Sequence, residues 1–220
     1  MEKKERRLKA AIFDLDGVIV DTVKLHFQAW QRMFSEYGKS FNFQDYKAKV
    51  DGIPGIDGAR AILNNLTEEE LKQASLRKHN YFLEFLEEYG VDVYPEAIDL
   101  IKRFKAQALK AGVISSSKNC YSILEKAGIT NLFDVVVGGS EVEKGKPDPE
   151  IFLLACKKLG FKPGQCVVFE DAVLGVEAGK SGGFLTVGID RYQNPWRLDK
   201  ADIVVSDLSR VNLDILEDLL

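Results

Sequence analysis

From about residue 93 onward the chain alternates short apolar runs with amphipathic stretches. Val113–Ser115, Asp134–Val137, Cys166–Phe169, Phe184–Val187 and Ile203–Val205 are short and rich in Val and Ile, and Ala10–Phe13 is a run of the same kind near the start. Such runs separated by helical stretches predict βαβ units and a parallel sheet. The helices carry their own punctuation. Asp148 can cap a helix whose first residue is Pro149, where a missing N–H is harmless. Ile151, Phe152, Leu154, Ala155 and Leu159 mark its apolar face, Lys157 and Lys158 fall in its last turn, and Gly160 stops it.

Residues 22–92 follow another pattern. Thr22–Tyr37, followed by Gly38, has helical period, and so do Ile56–Leu63 and Glu68–Tyr89. The last places Leu71, Leu76, Phe82, Phe85 and Leu86 at apolar positions, and no strand pattern intervenes. The expected architecture is an α/β core of residues 1–21 and 93–220, interrupted after its first strand by an all-helical insert of residues 22–92. Hinges are expected near Gly17–Asp21 and Val91–Pro95.

Composition narrows the classes. At ~150 residues per domain, 220 residues suit one large domain or a core with an insertion. An apolar fraction of 45% and a charged fraction of 29% exclude wholesale disorder and fibre. A formal net charge of -4 argues against general nucleic-acid binding. Cys120, Cys156 and Cys166 form no CxxC or Cys/His cluster, which suits reduced thiols in the cytoplasm rather than a disulfide frame or zinc site. No apolar run approaches a membrane span, and Met1–Arg7 is expected to be a solvated, charged tail.

Four short signatures fall where predicted strands end. Asp14–Asp21 (DLDGVIVD) sets two carboxylates two residues apart, with Gly17 permitting an abrupt turn. One acid can serve as nucleophile and the other as general acid and base. A polar strand-to-loop turn explains the same residues equally well. Val113–Asn119 (VISSSKN) offers a hydroxyl and a helix N-terminus, either a phosphate cradle or a simple helix cap. In Lys144–Pro149 (KGKPDP), Pro147 biases Lys146 toward an extended backbone, a rigid mount for an ammonium or an ordinary solvated turn. Glu170 and Asp171 end an apolar run side by side, an arrangement suited to Mg²⁺ or to an acidic helix start. Each signature alone is weak. All four at C-terminal strand ends, where open parallel sheets bind ligands, point to one site.

Together these signatures resemble the haloacid dehalogenase superfamily of aspartate-dependent phosphoryl-transfer enzymes, over essentially the whole chain. Residues 21–30 (DTVKLHFQAW) and Ser115–Asn119 look like its β-phosphoglucomutase-like subfamily. The resemblance implies a Rossmann-like core with a small helical cap. It implies Asp14 as nucleophile and Asp16 as acid and base, with Ser115 and Lys146 holding the phosphoryl group. It implies Mg²⁺ bound by Asp14, the Asp16 carbonyl, Asp171 and Glu170. Ser115, Ser116, Ser117, Lys118 and Asn119 would face the substrate. His26 and Trp30, four apart on one helix face, match substrate-side positions of the cap, although cap packing explains Trp30 equally well.

The cap loop Asp51–Gly58 (DGIPGIDG) departs from that pattern. The subfamily carries a phosphate-gripping arginine where this chain has Gly55, and Ile53 fills another position that is often basic. Lys78 is the candidate substitute as a point charge. The expectation is therefore a Mg²⁺-dependent phosphatase acting on a small phosphorylated metabolite, a sugar phosphate. The alternative is a β-phosphoglucomutase-type isomerase. A signalling receiver domain shares the acid pair, Ser/Thr and Lys, but is about half this length and lacks both the helical insert and the second acid pair. A monomer without nucleic-acid or membrane partners is expected.

Overall fold

In the computed structural model, which describes residues 7–191 and 195–220, the first apolar run becomes β1 (Ala10–Asp14) and a tight turn leads to β2 (Val20–Asp21). Four helices follow: α1 (Val23–Glu36), α2 (Phe43–Lys49), α3 (Gly55–Ile62) and α4 (Glu68–Tyr89). Then come β3 (Asp92–Val93), α5 (Pro95–Ala106), β4 (Lys110–Ser115), α6 (Cys120–Lys126) and β5 (Val135–Gly138). The chain continues through α7 (Glu150–Leu159), β6 (Cys166–Glu170), α8 (Val173–Ser181), β7 (Leu185–Ile189), β8 (Ile203–Val205) and α9 (Leu213–Glu217).

Residues up to Val20 together with Val93–Leu220 form one compact unit, and Asp21–Asp92 form the other. The first is a Rossmann-like α/β unit whose sheet has the order β5-β4-β1-β6-β7-β8, every pairing parallel. β1 is buried along its whole length, as a strand covered on both faces must be. Ala10 and Ile12 point into a core built with Ile151, Phe152 and Ala155 of α7 and Ala178 of α8. Phe13 points the other way, stacks on Phe169 with centroids 4.6 Å apart, and Phe169 in turn meets Phe104 of α5. This alternation follows from the two-residue repeat of a strand. The sequence order reverses around β1, so Asp14, Ser115 and Glu170 end three adjacent central strands.

The second unit packs Trp30, Met33 and Phe34 of α1 against Tyr46, Ala59, Leu71 and Ala74 from the other three helices. Glu68–Tyr89 is helical over its whole expected length, started by a reciprocal capping box between Thr67 and Glu70.

Some local expectations change. α2 has no counterpart in the apolar pattern, because its seven residues are mostly polar and Tyr46 alone is buried. The two-residue β2 and β3, which pair with each other, also escaped it. α7 begins at Glu150 with Pro149 as its cap position, one residue later than expected, yet Asp148 still accepts the Glu150 N–H at 3.0 Å. Gly160 ends that helix with a left-handed φ of 82°. The expected N-terminal tail falls mostly outside the described residues, but Arg7 is not free. Its N–H meets Glu217 at 3.1 Å and its guanidinium meets the Leu220 carbonyl at 2.7 Å. All three cysteines are reduced and buried.

Candidate active site

The C-terminal ends of β1, β4 and β6 deliver the chemistry. Asp14, the last residue of β1, is buried with Lys146, Glu170 and Asp171. The Lys146 ammonium donates to Asp14 Oδ1 at 2.5 Å and to Glu170 Oε2 at 2.7 Å. Its side chain is only 4% exposed, so the lysine is not the solvated turn residue its type usually is. The Lys146–Pro147 peptide is cis. Glu170 uses its other oxygen to accept the N–H groups of Asp171 and Ala172, at 3.2 and 3.0 Å.

The charges are mutually dependent. Burial drives the Asp14 carboxyl well above the ordinary carboxylate range; Lys146 pulls it back down, while Glu170, Asp16 and Asp171 push it further up. Burial works against the charge on Lys146, but Asp14 and Glu170 outweigh it and raise its pKa. Asp14, Glu170 and Asp171 each place a carboxylate oxygen within 4.8 Å of the others. One lysine cannot balance three ionised acids. An all-oxygen, buried and over-negative donor set fits a hard divalent cation, so these three residues can hold a metal ion.

Asp16 stands slightly apart from that cluster. Its carboxylate Oδ2 accepts the Ser115 hydroxyl at 2.7 Å, and its N–H donates to Asp14 Oδ2 at 2.9 Å. The turn that follows Asp16 needs glycine. Gly17 has φ +82°, and a Cβ there would lie 2.3 Å from Asp171 Oδ2. Ser115 Oγ also accepts the Ser117 N–H at 3.0 Å, and Ser117 Oγ accepts that of Asn119 at 3.1 Å. This folds Ser115, Ser116, Ser117, Lys118 and Asn119 into a tight turn before α6, with Ser115 and Asn119 buried. Sequence reasoning missed the Ser115–Asp16 bond, which joins residues 99 apart. It also missed Arg191 and Arg197, which reach the main chain of the loops carrying the acids.

The helical unit holds the remaining candidates. The Lys78 ammonium lies 2.9 Å from His26 Nδ1, and the His26 ring stacks on Phe82 with centroids 4.2 Å apart. Trp30 is a packing residue: it is 2% exposed, stacks on Phe34, and its indole fills the space where a Cβ on Gly58 would fall, 2.8 Å away. Gly55 begins α3, and a Cβ there would approach Ser75 Oγ of α4 to 2.5 Å. In the loop before α3, Asp51 pairs with Lys47 at 2.7 Å.

Known proteins agree with this architecture. The sequence profile of the haloacid dehalogenase-like hydrolases matches residues 8–183. A β-phosphoglucomutase of Bacillus subtilis is 33% identical, covering 96% of this chain and 95% of its own. A phosphorylated carbohydrates phosphatase of Thermotoga maritima is 34% identical, over 80% of this chain and 82% of its own. The solved structure of a β-phosphoglucomutase from Clostridium difficile superposes with a TM-score of 0.88 at 30% identity, covering 96% of each chain. With its parallel sheet and its acids gathered at the strand ends, the chain belongs to the haloacid dehalogenase-like hydrolases, among their β-phosphoglucomutase-like members, and is a phosphoryl-transfer enzyme.

Proposed function

We propose that the protein is a Mg²⁺-dependent phosphatase that hydrolyses a small phosphorylated metabolite, a sugar phosphate, through an aspartyl phosphate. The observation that carries this reading is the buried Asp14–Lys146–Glu170 contact beside Asp16. Asp14 attacks phosphorus, and the bond to the leaving oxygen breaks as the aspartyl phosphate forms. Asp16 gives that oxygen a proton, then takes one from the water that attacks the aspartyl phosphate. The Ser115 hydroxyl holds Asp16 at 2.7 Å before substrate arrives. Ser115 and Lys146 then hold the phosphoryl oxygens as the charge redistributes. Mg²⁺, held by Asp14, the Asp16 carbonyl, Glu170 and Asp171, supplies neutralising charge when bound. The turn Ser115–Asn119 and the His26–Lys78 pair are the proposed contacts to the rest of the substrate.

Two features favour water over a second hydroxyl as acceptor. A mutase must retain and turn a bisphosphate, which calls for a cation that grips the distal phosphate. At position 55 stands a glycine whose side-chain direction is closed by Ser75, and the preceding loop carries Asp51. The second reading, a β-phosphoglucomutase-type isomerase, is favoured by the paired His26 and Lys78 and by the relatives' names.

One incubation separates them. Purified protein receives Mg²⁺, β-glucose 1-phosphate and a trace of glucose 1,6-bisphosphate, and glucose 6-phosphate and free phosphate are followed together. Free phosphate, from this substrate or from a panel of sugar phosphates, is the expected result. Glucose 6-phosphate without free phosphate overturns the phosphatase reading in favour of the mutase.

A further inference from the structure

Arg191 lies two residues past the end of β7, 174 residues from Gly17 in sequence, yet it is built into the turn that carries Asp16. Its Nε donates to the Gly17 carbonyl at 3.0 Å, and one terminal nitrogen donates to the Val18 carbonyl at 3.2 Å. The other terminal nitrogen meets Glu96 of α5 at 2.7 Å. The guanidinium plane rests on Tyr94, with its central carbon 3.4 Å from the ring centroid. Every nitrogen of the guanidinium therefore donates a bond, and the side chain is only 17% exposed.

We propose that Arg191 is a positioning residue for the acid–base carboxylate of Asp16. The turn is short and closed by its own bonds: Gly17 N–H to the Val20 carbonyl at 2.8 Å, and Ile19 and Val20 N–H to the Leu15 carbonyl at 3.0 and 3.1 Å. Those bonds hold the turn together, and the Leu15 N–H bond to the Ile114 carbonyl at 2.9 Å ties its start to β4. Arg191 anchors its middle by taking the two consecutive carbonyls immediately after Asp16. A planar, always-charged fork suits this task, whereas a lysine presents one point charge on a flexible stem. A displaced turn would move Asp16 relative to Ser115 and press Gly17 toward Asp171, on which it already lies. Arg197 acts in the same sense on the neighbouring acidic loop, donating to the Asp171 carbonyl at 2.8 Å. Tyr94 and Glu96 orient Arg191 from its far side, and the Tyr94 N–H binds the Ile19 carbonyl at 2.9 Å.

The proposal rests on the acid–base role given to Asp16, so its test has two readouts. The first is turnover by Arg191→Lys and Arg191→Ala in the full chain with Mg²⁺. Misplacing an acid–base group acts on kcat, so a fall of about tenfold or more is expected, with KM changed less than about twofold. Measured well below the variant's melting temperature, where the chain is fully folded, added methylguanidinium should restore part of the Arg191→Ala rate. Unchanged kcat in Arg191→Lys, or a loss that simply tracks the melting temperature across Arg191→Lys, Arg191→Ala and Glu96→Gln, overturns the proposal. The second readout is amide hydrogen exchange over residues 15–20, which needs no turnover. Exchange there should accelerate in Arg191→Lys while β4 and β6 stay protected, and unaltered exchange also overturns the proposal. If the unmodified chain releases no phosphate from any substrate tried, the phosphatase reading fails, while exchange still decides whether Arg191 clamps the turn.

Discussion

Asp14 sits where a carboxylate is hardest to keep charged. It is buried, its pKa is driven up by that burial, and three further acids surround it. Burial alone would favour an uncharged residue at this position, and a charge kept there is what the proposed nucleophilic role requires. Asp14→Asn keeps the shape and removes the proposed nucleophile. Turnover should fall to background, while circular dichroism stays unchanged. In the absence of divalent cation the melting temperature should be no lower than that of the parent, because Lys146 still has Glu170 as partner. Retained turnover in a clean preparation would remove Asp14 from the mechanism. A variant that loses activity by unfolding would instead show that the charge supports the fold.

Between elements, single side chains fix registers that propensity leaves open. Asp134 precedes β5 and ties it to the start of β4, accepting the Ala111 N–H at 2.9 Å and the Lys110 ammonium at 2.8 Å. Burial works against its charge, but these donors prevail and hold its pKa below the ordinary value. A depressed folded-state pKa stabilises above the unfolded pKa of about 3.9 and loses that contribution as pH falls through the folded value. Asp134→Asn should therefore lower stability by about 1 kcal/mol at neutral pH. In urea titrations the difference should shrink as the pH drops below about 4; a difference independent of pH would mean that charge plays no part in this tie. The contact of α3 with α4 makes a sharper prediction. Gly55→Arg alone forces a Cβ to 2.5 Å from Ser75 Oγ, whereas with Ser75→Ala the nearest remaining side-chain atom is Cβ, at 3.7 Å. The double variant should be more stable than Gly55→Arg, and it should raise glucose 6-phosphate formation relative to phosphate release. An unchanged ratio would separate this loop from phosphate recognition. Elements differed in how plainly they could be read. The parallel strands stood out because burial on both faces makes them continuous apolar runs. α2 did not, because its start is written only in the Asn42–Asp45 capping box. Two-residue strands such as β2 and β3 are too short to carry any period.

Across the whole molecule, Asp14, Ser115 and Glu170 were legible because each ends an apolar run, and those three runs are neighbours in the sheet. The bonds that aim them were not. Ser115 to Asp16, Arg191 to Gly17 and Arg197 to Asp171 join residues far apart in sequence, two of them through main-chain carbonyls that carry no residue identity. Trp30 was ambiguous for a related reason: a helix face reveals that a ring turns inward, but not what fills the space beside it. The assembled cluster makes a prediction that no single motif makes. Three buried acids against one lysine leave the site over-negative without a cation, so a divalent ion should stabilise the fold as well as support turnover. An ion present at about 100 times its dissociation constant adds about 2.7 kcal/mol by mass action. For a chain of this size that corresponds to a rise of about 5–10 °C in melting temperature. Mg²⁺ should produce such a rise, EDTA should reverse it together with activity, and Asp171→Asn should flatten the response while leaving the Lys146 pairings in place. Because ligand carboxylates must be ionised to bind, the rise should also diminish in acid. A melting temperature indifferent to Mg²⁺, in a protein whose turnover EDTA does not touch, would mean that Lys146 alone balances the cluster and that Glu170 and Asp171 serve only to hold the lysine in place.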